Sequence, residues 1–168
     1  MPTFLDDMEA LVPALRRYAR ALTGSVDRAD DLVQDCVVRA MTKQSLWRPA
    51  VPLRPWLFRI MINLHRNDRR RLRGSPERDG LDTLPFEPSS PASQGDRLAL
   101  AETAAAIDRL PDDQREALLL VVLDGMSYAE AAAALEIPMG TLMSRVGRAR
   151  EALRAMVDGT GPKLRSVK

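Results

Sequence analysis

Between residues 75 and 95 the helical periodicity of this chain stops. Pro76, Gly80, Pro85, Pro88, Ser89, Ser90, Pro91, Ser93 and Gly95 fall there with almost no periodic apolar residues, so the segment has nothing with which to join a core. It reads as a flexible, acidic, Pro-rich linker. The chain must therefore be built as two small units, residues 1–74 and 96–158, and residues 159–168 read as a disordered tail. Only 4% of the 168 residues are aromatic, and no stretch alternates with a period of two, which predicts an all-α fold.

In the first unit, Leu5, Met8, Leu11, Val12, Leu15, Tyr18, Ala19 and Leu22 recur at helical spacing and Gly24 follows as a stop, predicting a helix from Leu5 to Thr23. A second helix is expected from after Asp27 to about Met41. Pro49, Pro52 and Pro55 then forbid a continuous helix, and a third is expected from Pro55 to the arginine run that ends at Gly74. In the second unit, helices are expected over Leu98–Leu110 and Pro111–Asp124. Ser127 with Glu130 three residues on is a capping box opening a helix to about Leu135. A short turn through Ile137 to Gly140 precedes a last helix over Thr141–Met156.

One Cys and one His exclude a disulfide framework and most metal-hydrolase layouts, and no Gly-rich phosphate loop or catalytic triad order is visible. The chain reads as no enzyme and needs no cofactor or metal. No apolar run approaches the ~18 residues of a membrane span, and the N-terminal residues are too acidic for a signal peptide, so a cytoplasmic protein without membrane insertion is expected. The net charge of +2 hides a partition: residues 1–74 carry 14 basic and 8 acidic side chains, residues 75–116 carry 4 and 10, and residues 117–168 carry 7 and 5. Two basic blocks around an acidic middle suit two separate surfaces that meet a polyanion.

Two helices joined by a short turn at 128–156 have the helix-turn-helix layout, whose second helix lies in the major groove. Leu142, Val146, Ala149 and Leu153 form its apolar stripe; Met143, Ser144, Gly147, Arg148 and Glu151 fall opposite, with Arg145 and Arg150 on the flanks. Such a face can read base edges and hold phosphates, although an ordinary solvated amphipathic helix looks similar. On the third helix Arg59, Asn63, Arg66 and Arg70 share a stripe opposite Leu57, Ile60, Met61 and Leu64, with no acidic neighbour at i±4 to neutralise it apart from Asp68 on the far side. Trp47 and Trp56 read first as core residues, and alternatively as stacking platforms beside that stripe. His65 reads as a boundary residue or phosphate neighbour, and Cys36 as a core residue. On the second helix Asp31, Gln34, Asp35, Val38 and Thr42 face outward, which hints at a protein partner.

The segments Asp30–Ala40, Pro55–Leu64, Leu110–Leu118 and Ile137–Arg154, in this order, resemble the extracytoplasmic-function (ECF) sigma factors of the sigma-70 family. The resemblance implies a region-two domain at 1–74 and a region-four domain at 96–158. It implies that Asp31, Gln34, Asp35 and Val38 dock on core RNA polymerase. By the same resemblance Trp56, Arg59, Asn63, Arg66 and Arg70 capture the minus-ten element, while Thr141, Met143, Ser144, Arg145, Gly147 and Arg148 read the minus-thirty-five element of promoter DNA. An anti-sigma factor is implied as a further partner. The chain departs from the family where Met143 replaces a common Lys or Arg, Gly147 a larger side chain, Ala131-Ala132 the usual Ile-Ala, and Glu136 a turn Gly. These departures leave open a sigma-like decoy that binds an anti-sigma factor, and a plain helix-turn-helix regulator.

Overall fold

The computed structural model describes residues 1–74 and 94–159. Among them are seven α-helices and no strand: α1 (Phe4–Thr23), α2 (Val26–Thr42), α3 (Leu53–Arg73), α4 (Gln94–Asp108), α5 (Asp112–Val122), α6 (Tyr128–Leu135) and α7 (Met139–Val157). The fold is all-α in two helical units, as the periodicity predicts. Most of the expected linker, and most of the expected tail, lie outside the described residues. Gln94 and Gly95, expected in the linker, open α4 instead.

In the first unit α1, α2 and α3 pack on one another. Leu15, Tyr18 and Ala19 of α1 meet Cys36 and Ala40 of α2 and Leu57, Phe58 and Met61 of α3 in a core closed to solvent. Tyr18 and Phe58 stand edge to face at 5.3 Å, a favoured aromatic geometry. Thr3 caps α1 through a capping box with Asp6, and Gly24 ends the helix at φ 66. Ser25 follows at once as the cap of α2, its hydroxyl accepting from the Arg28 amide, which starts α2 ahead of the expected Asp27 boundary. The proline-rich connection is a short 3-10 turn at Gln44–Leu46, then a loop tied by a bond from the Trp47 indole N–H to the Val51 carbonyl at 3.0 Å.

In the second unit α7 packs against α4, α5 and α6, and α5 against α6. Leu120, Ala131, Leu142, Val146 and Ala149 are buried there. The expected capping box opens α6: the Ser127 hydroxyl accepts from the Glu130 amide, and the Glu130 carboxylate accepts from the Ser127 amide at 2.9 Å. Between α6 and α7, Glu136 takes the left-handed conformation (φ 55, ψ 44), the only non-glycine with positive φ among the described residues. A side chain here costs what glycine would not.

The two units are in contact. α3 packs against α6, and α1 against α5.

Candidate nucleic-acid interface

The face of α7 opposite its buried stripe is open to solvent. Met143, Ser144, Gly147 and Arg148 are exposed, while Thr141 and Arg145 are half-buried. Val146 and Ala149 are buried, Leu153 half-buried, so the helix is fixed along one stripe and presents the other. A Cβ added at Gly147 meets nothing within 4 Å, so the small residue leaves an open notch in the face rather than relieving a clash. Arg145 is turned toward its own unit, its Nε 3.6 Å from an Asp113 carboxylate oxygen on α5. The flank predicted to grip a phosphate is thereby held against α5.

On α2, Asp31, Gln34, Asp35 and Val38 are all exposed, and Leu32, Val33, Cys36 and Ala40 buried, as the spacing predicts. Burial pushes the Cys36 thiol up to about 12, and its S–H lies 3.5 Å from the Leu57 carbonyl. A thiol held neutral in a core is unreactive.

The α3 stripe is arranged differently from its reading in the sequence. Asn63 and Arg70 are exposed. Trp56 is half-buried, packed edge-on to Phe4 at 6.2 Å, and Trp47 lies 5.4 Å from the same ring, so both indoles serve the packing of α1. Arg59 and Arg66 are engaged by the second unit. Arg66 donates from Nε and Nη2 to the two carboxylate oxygens of Glu116 at 3.2 and 2.5 Å, a bidentate pair. That pair raises the Arg66 guanidinium above its ordinary range. The Arg59 Nη2 donates to the Ala133 carbonyl at 3.2 Å, and its Nε lies 3.7 Å from Glu136 Oε1. The lack of acidic neighbours at i±4 does not leave the stripe unpaired: its acidic partners sit on α5 and on the α6–α7 turn, beyond the reach of any i±4 search.

Further pairs extend this contact. Arg69 and Arg73 both reach Asp112, which also accepts from Arg115 at 3.0 Å. From α1, Arg17 pairs with the buried Asp124 at 3.1 Å, and the buried Tyr18 hydroxyl donates to the Glu116 carbonyl at 3.1 Å. Arg54, stacked 6.0 Å over Phe58, donates to the Asp124 carbonyl. Burial raises the Asp124 carboxyl, and the Arg17 guanidinium offsets part of that. A cleft lined by Arg66, Arg69, Arg70, Arg73, Asp112, Asp113 and Glu116 remains open along the seam.

His65, expected at a boundary, is buried in this contact with Nε2 unpartnered. Burial, then the neighbouring Arg69 and Arg115, lowers its pKa from 6.5 to about 4. A neutral imidazole cannot neutralise a phosphate. Sequence reasoning missed Tyr18, Asp112, Glu116 and Asp124 as functional positions. The signal was present: the acidic middle of the charge partition runs to residue 116 and so includes Asp112 and Glu116, not the linker alone.

Residues 8–62 match the family model "Sigma2 domain of PhyR", and residues 100–153 match "Sigma-70, region 4". The chain is 46% identical over 159 residues, 92% of its length and 86% of the relative's, to the ECF RNA polymerase sigma factor EcfG of Rhodopseudomonas palustris. It is 31% identical over 164 residues to the ECF RNA polymerase sigma-E factor of Escherichia coli, spanning 88% of this chain and 86% of that one. Among solved structures it is similar, with a TM-score of 0.77 and 33% identity over 92% of this chain and 96% of the other, to the sigma factor RpoE in complex with the anti-sigma factor NepR from Bartonella quintana.

Proposed function

Because the chain belongs to the ECF RNA polymerase sigma factors, we propose that it binds core RNA polymerase, recognises minus-ten and minus-thirty-five promoter elements, and directs transcription initiation. An anti-sigma factor holds it idle. It acts in the cytoplasm and supplies no catalysis of its own, the polymerase being the catalyst. The observation that carries the reading is the geometry of α7, whose exposed Ser144, Gly147 and Arg148 face away from a stripe fixed by Leu142, Val146 and Ala149 behind a helix-turn-helix turn. The exposed Asp31, Gln34, Asp35 and Val38 of α2 form the polymerase-docking face. Trp56, Arg59, Asn63, Arg66 and Arg70 of α3 serve the minus-ten strand, and Thr141, Met143 and Arg145 complete the minus-thirty-five set.

Physically, each DNA module is weak alone, and the polymerase fixes their separation, so joint affinity depends on effective concentration. Guanidiniums on α3 hold the backbone of the melted strand, while captured bases offset the cost of unstacking; no ATP is required. Arg148→Ala removes an exposed guanidinium from the reading face. Footprinting of the polymerase complex on a cognate promoter should show binding weakened by roughly 1–3 kcal/mol; an unchanged footprint at the upstream element contradicts the assignment of this face.

A second reading has one observation in its favour. The family model matched by residues 8–62 is the "Sigma2 domain of PhyR", and a solved structure of the anti-anti-sigma factor PhyR with the anti-sigma factor NepR has the same fold, which suits a sigma-like decoy that binds an anti-sigma factor. Whole-chain similarity to a sigma factor weighs against it.

A further inference from the structure

Gly147 stands in the middle of α7, where glycine costs a helix more than alanine would, and nothing in the fold asks for it. A Cβ built there meets no atom within 4 Å, so no neighbouring helix needs the space. A glycine that weakens its helix without serving the packing points to something outside the chain that must come close. Its surroundings indicate what. With side chains stepped at about 100° per residue, Gly140 and Gly147 share the middle of the open face, Met143 stands on one side, and Ser144 and Arg148 on the other. Met143 is 53% exposed, an uncharged thioether on the face that the proposed function turns toward the major groove. Arg145 is drawn away from that face to Asp113.

We propose that Met143 and the notch at Gly147 form a seat for the C5-methyl group of a thymine, so that the chain reads an A·T pair of its upstream promoter element by apolar contact, beside a polar contact from Arg148. The inference rests on the reading of α7 as the DNA-reading helix and adds which feature of the duplex that helix selects. In the major groove the thymine methyl is the base-edge group an apolar side chain recognises; the other markers there are hydrogen-bond donors and acceptors. Met143 has no donor and only a weakly accepting sulfur. Reading of donors and acceptors therefore passes to Ser144 and Arg148, and Met143 contributes by taking apolar surface out of water. Gly147 lies one turn on from Met143, about 6 Å along the helix. A methyl resting against the thioether thus falls over the notch, where a Cβ would stand in its way. Glu151, one turn further, ends the uncharged stretch with a carboxylate that phosphate repels.

Holoenzyme assembled from core RNA polymerase and the full-length chain can select its upstream element from duplexes randomised over about ten base pairs, one turn of DNA. The selected duplex is then synthesised with deoxyuridine in place of each thymidine in turn, which removes the methyl and leaves base pairing intact. At one or two neighbouring positions the exchange should weaken binding about fourfold, the worth of one buried methyl. With Met143→Ala that difference should vanish. Gly147→Ala should raise the melting temperature of the chain, so that lost affinity is not lost folding, and should weaken binding of the thymine duplex more than that of its uracil counterpart. Uracil bound as tightly as thymine at every position overturns the proposal, as does a thymine preference that survives Met143→Ala, a Gly147→Ala chain that treats both duplexes alike, or a selected element without an A·T pair. In each of these cases a footprint weakened by Arg148→Ala leaves α7 as the reading helix. If Arg148→Ala binds the selected duplex as wild type does, the reading of α7 itself falls, and the methyl seat with it.

Discussion

His65 sits where α3 meets α5, with Arg66 and Arg69 on its own helix and Asp112 and Arg115 opposite. Its pKa lies at about 4 in the closed protein against 6.5 for a solvated imidazole, so the folded state binds fewer protons than the unfolded state between these values. The neutral ring contributes stability that is fully present above pH 6.5 and lost as pH falls toward 4. Urea unfolding across that window should show wild type losing up to about 3 kcal/mol more than His65→Leu; parallel curves for the two proteins would show that His65 is already solvated. The sequence placed His65 beside arginines but could not show it buried, because the covering groups arrive from residues 112 and 115. Glu136, by contrast, is legible as a residue: a side chain standing at the turn position where the family has glycine must either refuse the left-handed conformation or take it strained, and it takes it. What the sequence does not say is that Arg59 waits across the seam.

At the scale of elements, the signals that are local in sequence are the ones that held. The Ser127–Glu130 capping box, the Gly24 stop, and the apolar stripe of α7 through Leu142, Val146 and Ala149 each depend on residues within a few turns of one another. Boundaries moved where a neighbouring cap decided them. Ser25 starts α2 early, Thr3 starts α1 at Phe4, and α5 runs Asp112–Val122 with Pro111 as its cap rather than its first residue. Ser127→Ala removes an acceptor for the Glu130 amide at the start of the helix-turn-helix and should cost about 1 kcal/mol in thermal unfolding of the protein. A loss below a few tenths would mean that the packing of α6 against α3 and α7 alone holds that turn. The arginine stripe of α3 shows the limit of such reading, since Arg66 and Glu116 are separated by 50 residues and Arg69 and Asp112 by 43. Periodicity places the guanidiniums on one face and is silent about what that face meets.

For the whole molecule, the division into two helical units follows from the break in periodicity, and the charge partition foreshadows how they come together. A basic first unit faces an acidic stretch reaching Glu116, and the seam between α1, α3, α5 and α6 is lined with ion pairs. Among the described residues no helix is long and apolar enough to cross a membrane. The seam covers much of α3 and leaves the α2 and α7 faces exposed. Sigma factor and decoy share this architecture, and only the outcome with polymerase separates them. Run-off transcription with purified core RNA polymerase on a cognate promoter is therefore the most direct measurement. Defined-length transcripts that depend on this protein, and that diminish with Arg148→Ala, are the predicted result; an absence of specific transcripts from a mixture in which the folded chain still captures an anti-sigma factor would contradict it.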